Sequence, residues 1–300
     1  MDDISLGRLC AFLTAVFWAM AVVFFKMCGE TITPLALNLF KNTVGILLLG
    51  VSLLVIKSGF SDLSPLSSRD LMTLAISGVL GIAVADTLFY MGLNRVGVGI
   101  QSIVDCTYGP FAIIFSVLFL SERLRLPHYV GTVLILIGVL ISSKHKPPAG
   151  ATRSQLGWGI MFGTLAMALT AGGIVYAKPV LTKTECPLLW ATVIRLIAGT
   201  FPLVVFALIR KDRARTFRLF VPSNAWRVAI PGSILGGYLA MLFWVAGFKF
   251  ANASIAAMIN QTSVVFALIF ASIFLKEAFT RRKFVAVAFA LGGGCIITLS

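Results

Sequence analysis

Four charged side chains fall where the sequence offers no water. Of eleven acidic residues, Asp86 and Asp105 lie well inside long apolar runs, and of 25 basic ones Lys41 and Arg195 do. A charge at bilayer depth costs on the order of several kcal/mol, so each needs an opposite charge or a wet cavity. Two chemistries follow. A Lys41–Asp86 or Lys41–Asp105 ion pair would lock helices together. A cavity wall carrying both signs would recognise a zwitterionic or polar small molecule, with one carboxylate serving as a carrier of a coupling proton. The readings are compatible, because an internal pair can be a switchable latch. Depth along the runs puts Lys41, Asp86 and Asp105 in one third of the membrane. Arg195, Asn260 and Gln261 fall in the opposite third, without a carboxylate.

The elements that must position these groups are membrane helices. The chain is 59% hydrophobic and 12% charged, against about 25% charged for soluble domains. Ten apolar runs approach the roughly 20 residues that cross a bilayer as helix. They cover 6–27, 34–56, 71–92, 98–120, 127–143, 156–177, 187–209, 228–247, 253–275 and 283–299, the fifth and tenth being short. Continuous runs of this kind exclude an alternating β-barrel, and the brief polar connections leave no room for a soluble domain. Met1-Asp2-Asp3 lacks a basic lead-in, so the first run reads as a retained helix instead of a signal peptide.

The second half repeats the first at a displacement of 155 residues: Leu80-Gly81 on Leu235-Gly236, Gly92 on Gly247, Phe111-Ala112 on Phe266-Ala267, Glu122 on Glu277. Residues 1–147 and 154–300 thus form two copies of five crossings each. An odd number of crossings inverts the second copy relative to the first, an arrangement that builds two near-equivalent gates around a central site and implies a carrier working by alternating access. The copies differ where a substrate would be asymmetric: Asp86 against Met241, Asp105 against Asn260, Pro110 against Val265.

Tyr108-Gly109-Pro110 interrupts the fourth run. Proline within a helix frees the carbonyl four residues earlier, here Cys106, which is expected beside Asp105 as a substrate contact. Tyr108 and Asn260 would shape the cavity, with Trp18, Tyr90, Tyr238 and Trp244 as candidate lining. Gly78, Gly81, Gly232, Gly236, Gly237 and Gly292-Gly293-Gly294 suit close helix contact. None opens a phosphate loop, because no Lys-Ser/Thr follows. Five scattered cysteines and two histidines, His128 and His145, both expected in connections, indicate no disulfide framework, metal or cofactor. The net charge of +14 is read as basic residues flanking helices and not as a nucleic-acid surface. The expected partners are a small-molecule substrate, the lipid bilayer and a proton. An intramembrane aspartyl protease would need Gly-x-Gly-Asp, yet Ala83-Val84-Ala85 precedes Asp86.

Leu118-Phe119-Leu120-Ser121-Glu122-Arg123-Leu124 and Phe274-Leu275-Lys276-Glu277-Ala278-Phe279 resemble the Leu-Phe-Leu-Gly-Glu-x-Leu ending of the fourth helix in each repeat of EamA-type drug/metabolite transporters. Phe17-Trp18 and Pro110 are similar to family features too. The resemblance implies ten helices in two five-helix repeats, and export or exchange of amino acids, nucleosides, sugars or related metabolites across the cell membrane. An anion exchanger for sugar phosphates, with Lys41 and Arg195 clamping phosphate, is the alternative. Ser121 and Lys276 stand where the family has glycine, and Val265 where it has proline. Glu122 and Glu277 read as structural caps. The resemblance implies cytoplasmic termini. The charge count, 8 basic residues on the N-terminal side against 15 on the other, puts the termini outside the cytoplasm.

Overall fold

The computed structural model describes residues 2–28, 32–142, 152–183, 185–274 and 281–299, all helix and short connections with no strand among them. Seven helical segments are long and apolar enough to cross a membrane: Asp3–Met27, Pro34–Val55, Ser68–Val96, Arg153–Leu181, Leu188–Ile209, Trp226–Phe250 and Ala253–Phe274. Tyr108–Leu120 and Leu126–Gly138 are shorter apolar helices. The burial pattern is that of a membrane protein. Leu54, Phe201 and Ile209 are 78%, 69% and 73% exposed, whereas Lys41 and Arg195 are 1% and 0% exposed. Large apolar side chains facing outward over this length fit hydrocarbon, not water.

In chain order the helices are α1 (Asp3–Met27), α2 (Pro34–Val55), α3 (Ser68–Gly78), α4 (Asp86–Asp105), α5 (Tyr108–Leu120), α6 (Leu126–Ser142) and α7 (Arg153–Leu181). They continue with α8 (Leu188–Ile209), α9 (Arg213–Phe217), α10 (Trp226–Ser233), α11 (Met241–Phe250), α12 (Ala253–Asn260), α13 (Ser263–Phe274) and α14 (Arg281–Leu299). Two wide, π-helical turns, Val79–Ala85 and Ile234–Ala240, join α3 to α4 and α10 to α11. Their bounds differ by 155 residues, as do those of the two-residue breaks Cys106-Thr107 and Gln261-Thr262.

Each half supplies the partners of the other. α1 packs against α10, α11, α12 and α13, and α7 packs against α3, α4 and α5. α2 lies on α10 and its π turn, and α8 on α3 and its π turn. The halves are therefore interlaced instead of stacked side by side, and α6 and α14 form an outlying pair.

The stretch 92–98, expected as a connection, is helical within α4, but the chain folds back inside it. A Cβ built on Gly92 would stand 2.9 Å from Gln101 Oε1, whereas nine residues of straight helix rise about 13.5 Å. Val96 and Val104 both lie against α7, at Gly159 and Gly163. His128, expected in a connection, sits in the first turn of α6, where its Nδ1 accepts from the Arg125 N–H at 3.1 Å. His145 and the motif residues Leu275–Phe279 lie outside the described residues.

Candidate functional site

α2 presents Asn38, Lys41 and Asn42 on one stripe, the i, i+3, i+4 spacing of a helix face. That stripe meets the first π turn. Asn38 Nδ2 donates to the Ile82 carbonyl at 3.2 Å, and Asn42 Nδ2 to Asn38 Oδ1 at 3.1 Å. A π turn widens the helix and leaves carbonyls off the regular ladder, a distortion frequent at functional sites. Here amide side chains recover one of them. One turn further, Lys41 Nζ pairs with Asp86 Oδ2 at 2.8 Å, and Trp18 lies 5.7 Å from the ammonium. Of the two pairings the sequence allowed, the structure forms the one with Asp86.

Asp105 ends α4 without a countercharge among the described residues. Its Oδ1 accepts from Gln101 Nε2 at 2.8 Å, one helical turn earlier. Gln101 was not among the expected site residues, although its i, i+4 spacing to Asp105 was the available signal. The carbonyls at the α4–α5 break have a partner from the other half. Gln261 Nε2 donates to the carbonyls of Asp105 and Cys106 at 3.3 and 3.2 Å. Gln261 is the repeat position of Cys106, so each half's break touches the other's. Pro110 does not kink a continuous helix. It occupies the first turn of α5, where its missing N–H has no intrahelical partner to lose. The second half breaks at the same place with Val265 instead of proline.

Between these parts lies a cavity of about 170 Å³. Lys41, Asp86, Asp105, Tyr108, Asn260 and Gln261 line it, with Trp18 and Trp244. Thr14, Gly81, Met167, Thr170 and Met241 also reach it; of these only Met241, opposite Asp86 in the repeat, and Gly81 drew notice in the sequence. Two expected lining residues, Tyr90 and Tyr238, and the expected binding residue Arg195 are not among the lining side chains. Tyr90 is buried against Phe89, its hydroxyl unbonded among the described residues. The Tyr238 hydroxyl bonds Ser52 Oγ at 2.7 Å. Arg195 stands behind the wall: its Nη1 donates to Ser77 Oγ, and its guanidinium lies over Trp244 at 5.3 Å. Trp244 Nε1 donates to the Tyr108 hydroxyl at 3.3 Å. Asn260 is beside Tyr108, yet both amide atoms lack a hydrogen bond of good geometry.

Toward the termini Glu122 joins the two halves, and two lysines tie α7 to α11 within the second half. Glu122 accepts from the Ala253 and Ser254 N–H groups at 2.7 and 3.0 Å and from Ser254 Oγ at 2.7 Å. It caps α12 of the other half, using the unsatisfied donors and positive end of that helix. Lys178, 8% exposed, donates to the carbonyls of Phe248 and Ala251, and Lys249 to those of Leu181, Lys183 and Cys186. Each lysine thus caps the C-terminus of the other's helix. At the opposite end Lys26 is exposed.

Apolar helices, outward-facing leucines and a cavity lined by charged side chains define a multi-pass membrane protein. The model of the EamA-like transporter family matches residues 5–144 and again 157–299. The chain belongs to that family. It is 23% identical over 285 residues to an uncharacterized transporter of Archaeoglobus fulgidus, covering 95% of this chain and 96% of that one. An uncharacterized protein of Methanocaldococcus jannaschii is 33% identical over 134 residues, which is 44% of this chain and 91% of that protein. A solved crystal structure superposes with a TM-score of 0.81 at 16% identity, covering 99% and 97% of the two chains; it speaks for the fold alone.

Proposed function

We propose that the chain is a secondary carrier of the cell membrane. It moves small polar or amphipathic metabolites, such as amino acids, by export or exchange through alternating access. In this reading ten crossings form two inverted five-helix repeats, 1–147 and 154–300. The observation that carries it is the pair of broken helices, α4–α5 and α12–α13, that meet at one cavity 155 residues apart, with Gln261 of the second break bonding the loose carbonyls of the first. A relative about as long as one half is what a duplicated unit would leave. In this reading the chain is closed on the terminal side, where Glu122 bridges the halves.

Asp105 is the coupling carboxylate in this account. Held among the described residues by the neutral Gln101 alone, it can take a proton without breaking an ion pair, whereas Asp86 cannot. The sugar-phosphate alternative is weaker, because Asp86 already neutralises Lys41 and leaves no two-cation clamp. An aspartyl protease would need carboxylates sharing a proton. Here they are held by different partners, and no hydrogen bond joins them among the described residues. Purified protein in vesicles should show counterflow of amino acids, accelerated by a pH gradient. Asp105→Asn should keep counterflow and lose the pH effect. Absence of any flux across a metabolite panel sinks the carrier reading.

A further inference from the structure

Arg195 is the least compensated charge in the described structure. It is fully buried, and only its Nη1 has a hydrogen-bond partner, the neutral Ser77 hydroxyl. Its Nε and Nη2 have none, and no carboxylate pairs with it among the described residues. Its repeat counterpart Lys41 has Asp86. A buried guanidinium with two idle donors is costly unless an anion visits it.

The cavity wall leaves a way to it. Gly81 lines the cavity, and a Cβ built there would meet one atom within 4 Å, Arg195 Nη2 at 3.8 Å. The position has no side chain to screen the guanidinium. Trp244, on which Arg195 stacks, also lines the cavity, and so do Tyr108 and Asn260. Asn260 is 8% exposed and neither amide atom has a well-formed hydrogen bond among the described residues, and the Tyr108 hydroxyl, already accepting from Trp244, retains its own proton to donate. Arginine, amide and phenol together make a donor set for an oxyanion, with the guanidinium fork matching a carboxylate. In the other half of the cavity Asp86 and Asp105 carry one more negative charge than Lys41 balances. A dianion is therefore disfavoured and an ammonium welcome there.

We infer that Arg195, reached through the gap at Gly81, receives the carboxylate of a zwitterionic substrate whose ammonium lies toward Asp105. This rests on the carrier reading and narrows it: the substrate carries a single carboxylate and an ammonium.

The test measures binding of the proteinogenic L-amino acids, each against its decarboxylated amine, to the purified full chain by calorimetry, with vesicle counterflow measured separately. Wild type should bind at least one amino acid about tenfold or more tightly than its amine, the scale of one charged hydrogen bond. Gly81→Ala and Arg195→Gln should abolish that preference while leaving the amine's affinity unchanged. Arg195→Gln should also melt no lower than wild type, because it removes an unpaired buried charge; a merely structural arginine would melt lower and keep the preference. Equal binding of acid and amine, no amino-acid binding at all, or an intact preference in either variant overturns the subsite. Discriminating binding without counterflow would sustain the subsite and sink the carrier reading.

Discussion

Asp86→Asn separates a structural ion pair from a freely titrating carboxylate. The change is nearly isosteric, so it removes charge and almost no volume. It strands Lys41, 1% exposed, with the face of Trp18 at 5.7 Å as its remaining favourable contact. Removing one partner of a buried pair costs about 3–5 kcal/mol. Asp86 is itself 20% exposed, so water offsets part of the loss, and the low end, about 3 kcal/mol, is expected. At about 2–4 °C per kcal/mol for large domains, the melting midpoint should fall by roughly 6–12 °C. Adding Lys41→Gln should recover most of that fall, because the stranded cation is gone. Asp105→Asn keeps an oxygen toward Gln101 Nε2 and should cost less than about 1 kcal/mol. Thermal unfolding of the four proteins in one detergent gives the comparison. An Asp86→Asn midpoint within about 2 °C of wild type, or an Asp105→Asn fall of equal size, refutes the reasoning.

Ser121 closes α5 at φ 54°, ψ 31°, a left-handed conformation that favours glycine by about 1 kcal/mol; Ser121→Gly should raise the melting midpoint by a few degrees. Gln261→Leu orphans the carbonyls of Asp105 and Cys106 and should cost about 1–3 kcal/mol, read as a lower midpoint and faster amide exchange near the break. In the α6–α14 pair, a Cβ on Gly293 would stand 2.5 Å from the Gly131 carbonyl oxygen, while one on Gly292 meets nothing within 4 Å. Gly293→Ala should therefore destabilise, and Gly292→Ala should be neutral or stabilising by up to about 1 kcal/mol, on the same melting assay.

Much of this architecture was legible because membrane helices announce themselves by length and hydropathy, and because buried charges are rare enough to stand out. Lys41, Asp86 and Asp105 were found that way. Which acid pairs with Lys41 was not readable, since it depends on how α2 crosses the π turn after α3. Proline marked the first break, but nothing in Gln261-Thr262 marks the second. That break is sustained by tertiary contact, with Gln261 reaching across to the first half. The partner of the Cys106 carbonyl, Gln261, lies 155 residues away and left no mark in the sequence around Pro110. Arg195 was recognised as buried, but its place behind Gly81 depends on an absent side chain, and an absence carries no pattern. Ser121 in the family's glycine position became meaningful only once its backbone proved left-handed.

The central claim is that the cavity opens to each side of the membrane in turn. Thr170 lines it midway along α7. A single cysteine at that position, in a chain whose native cysteines are replaced, can be labelled with a membrane-impermeant maleimide applied from either face of sealed vesicles. The account predicts labelling from both faces, slowed on both by a transported amino acid, with Glu122→Gln raising the rate from the face that carries the termini. Labelling from one face only, unchanged by substrate and by Glu122→Gln, would contradict it.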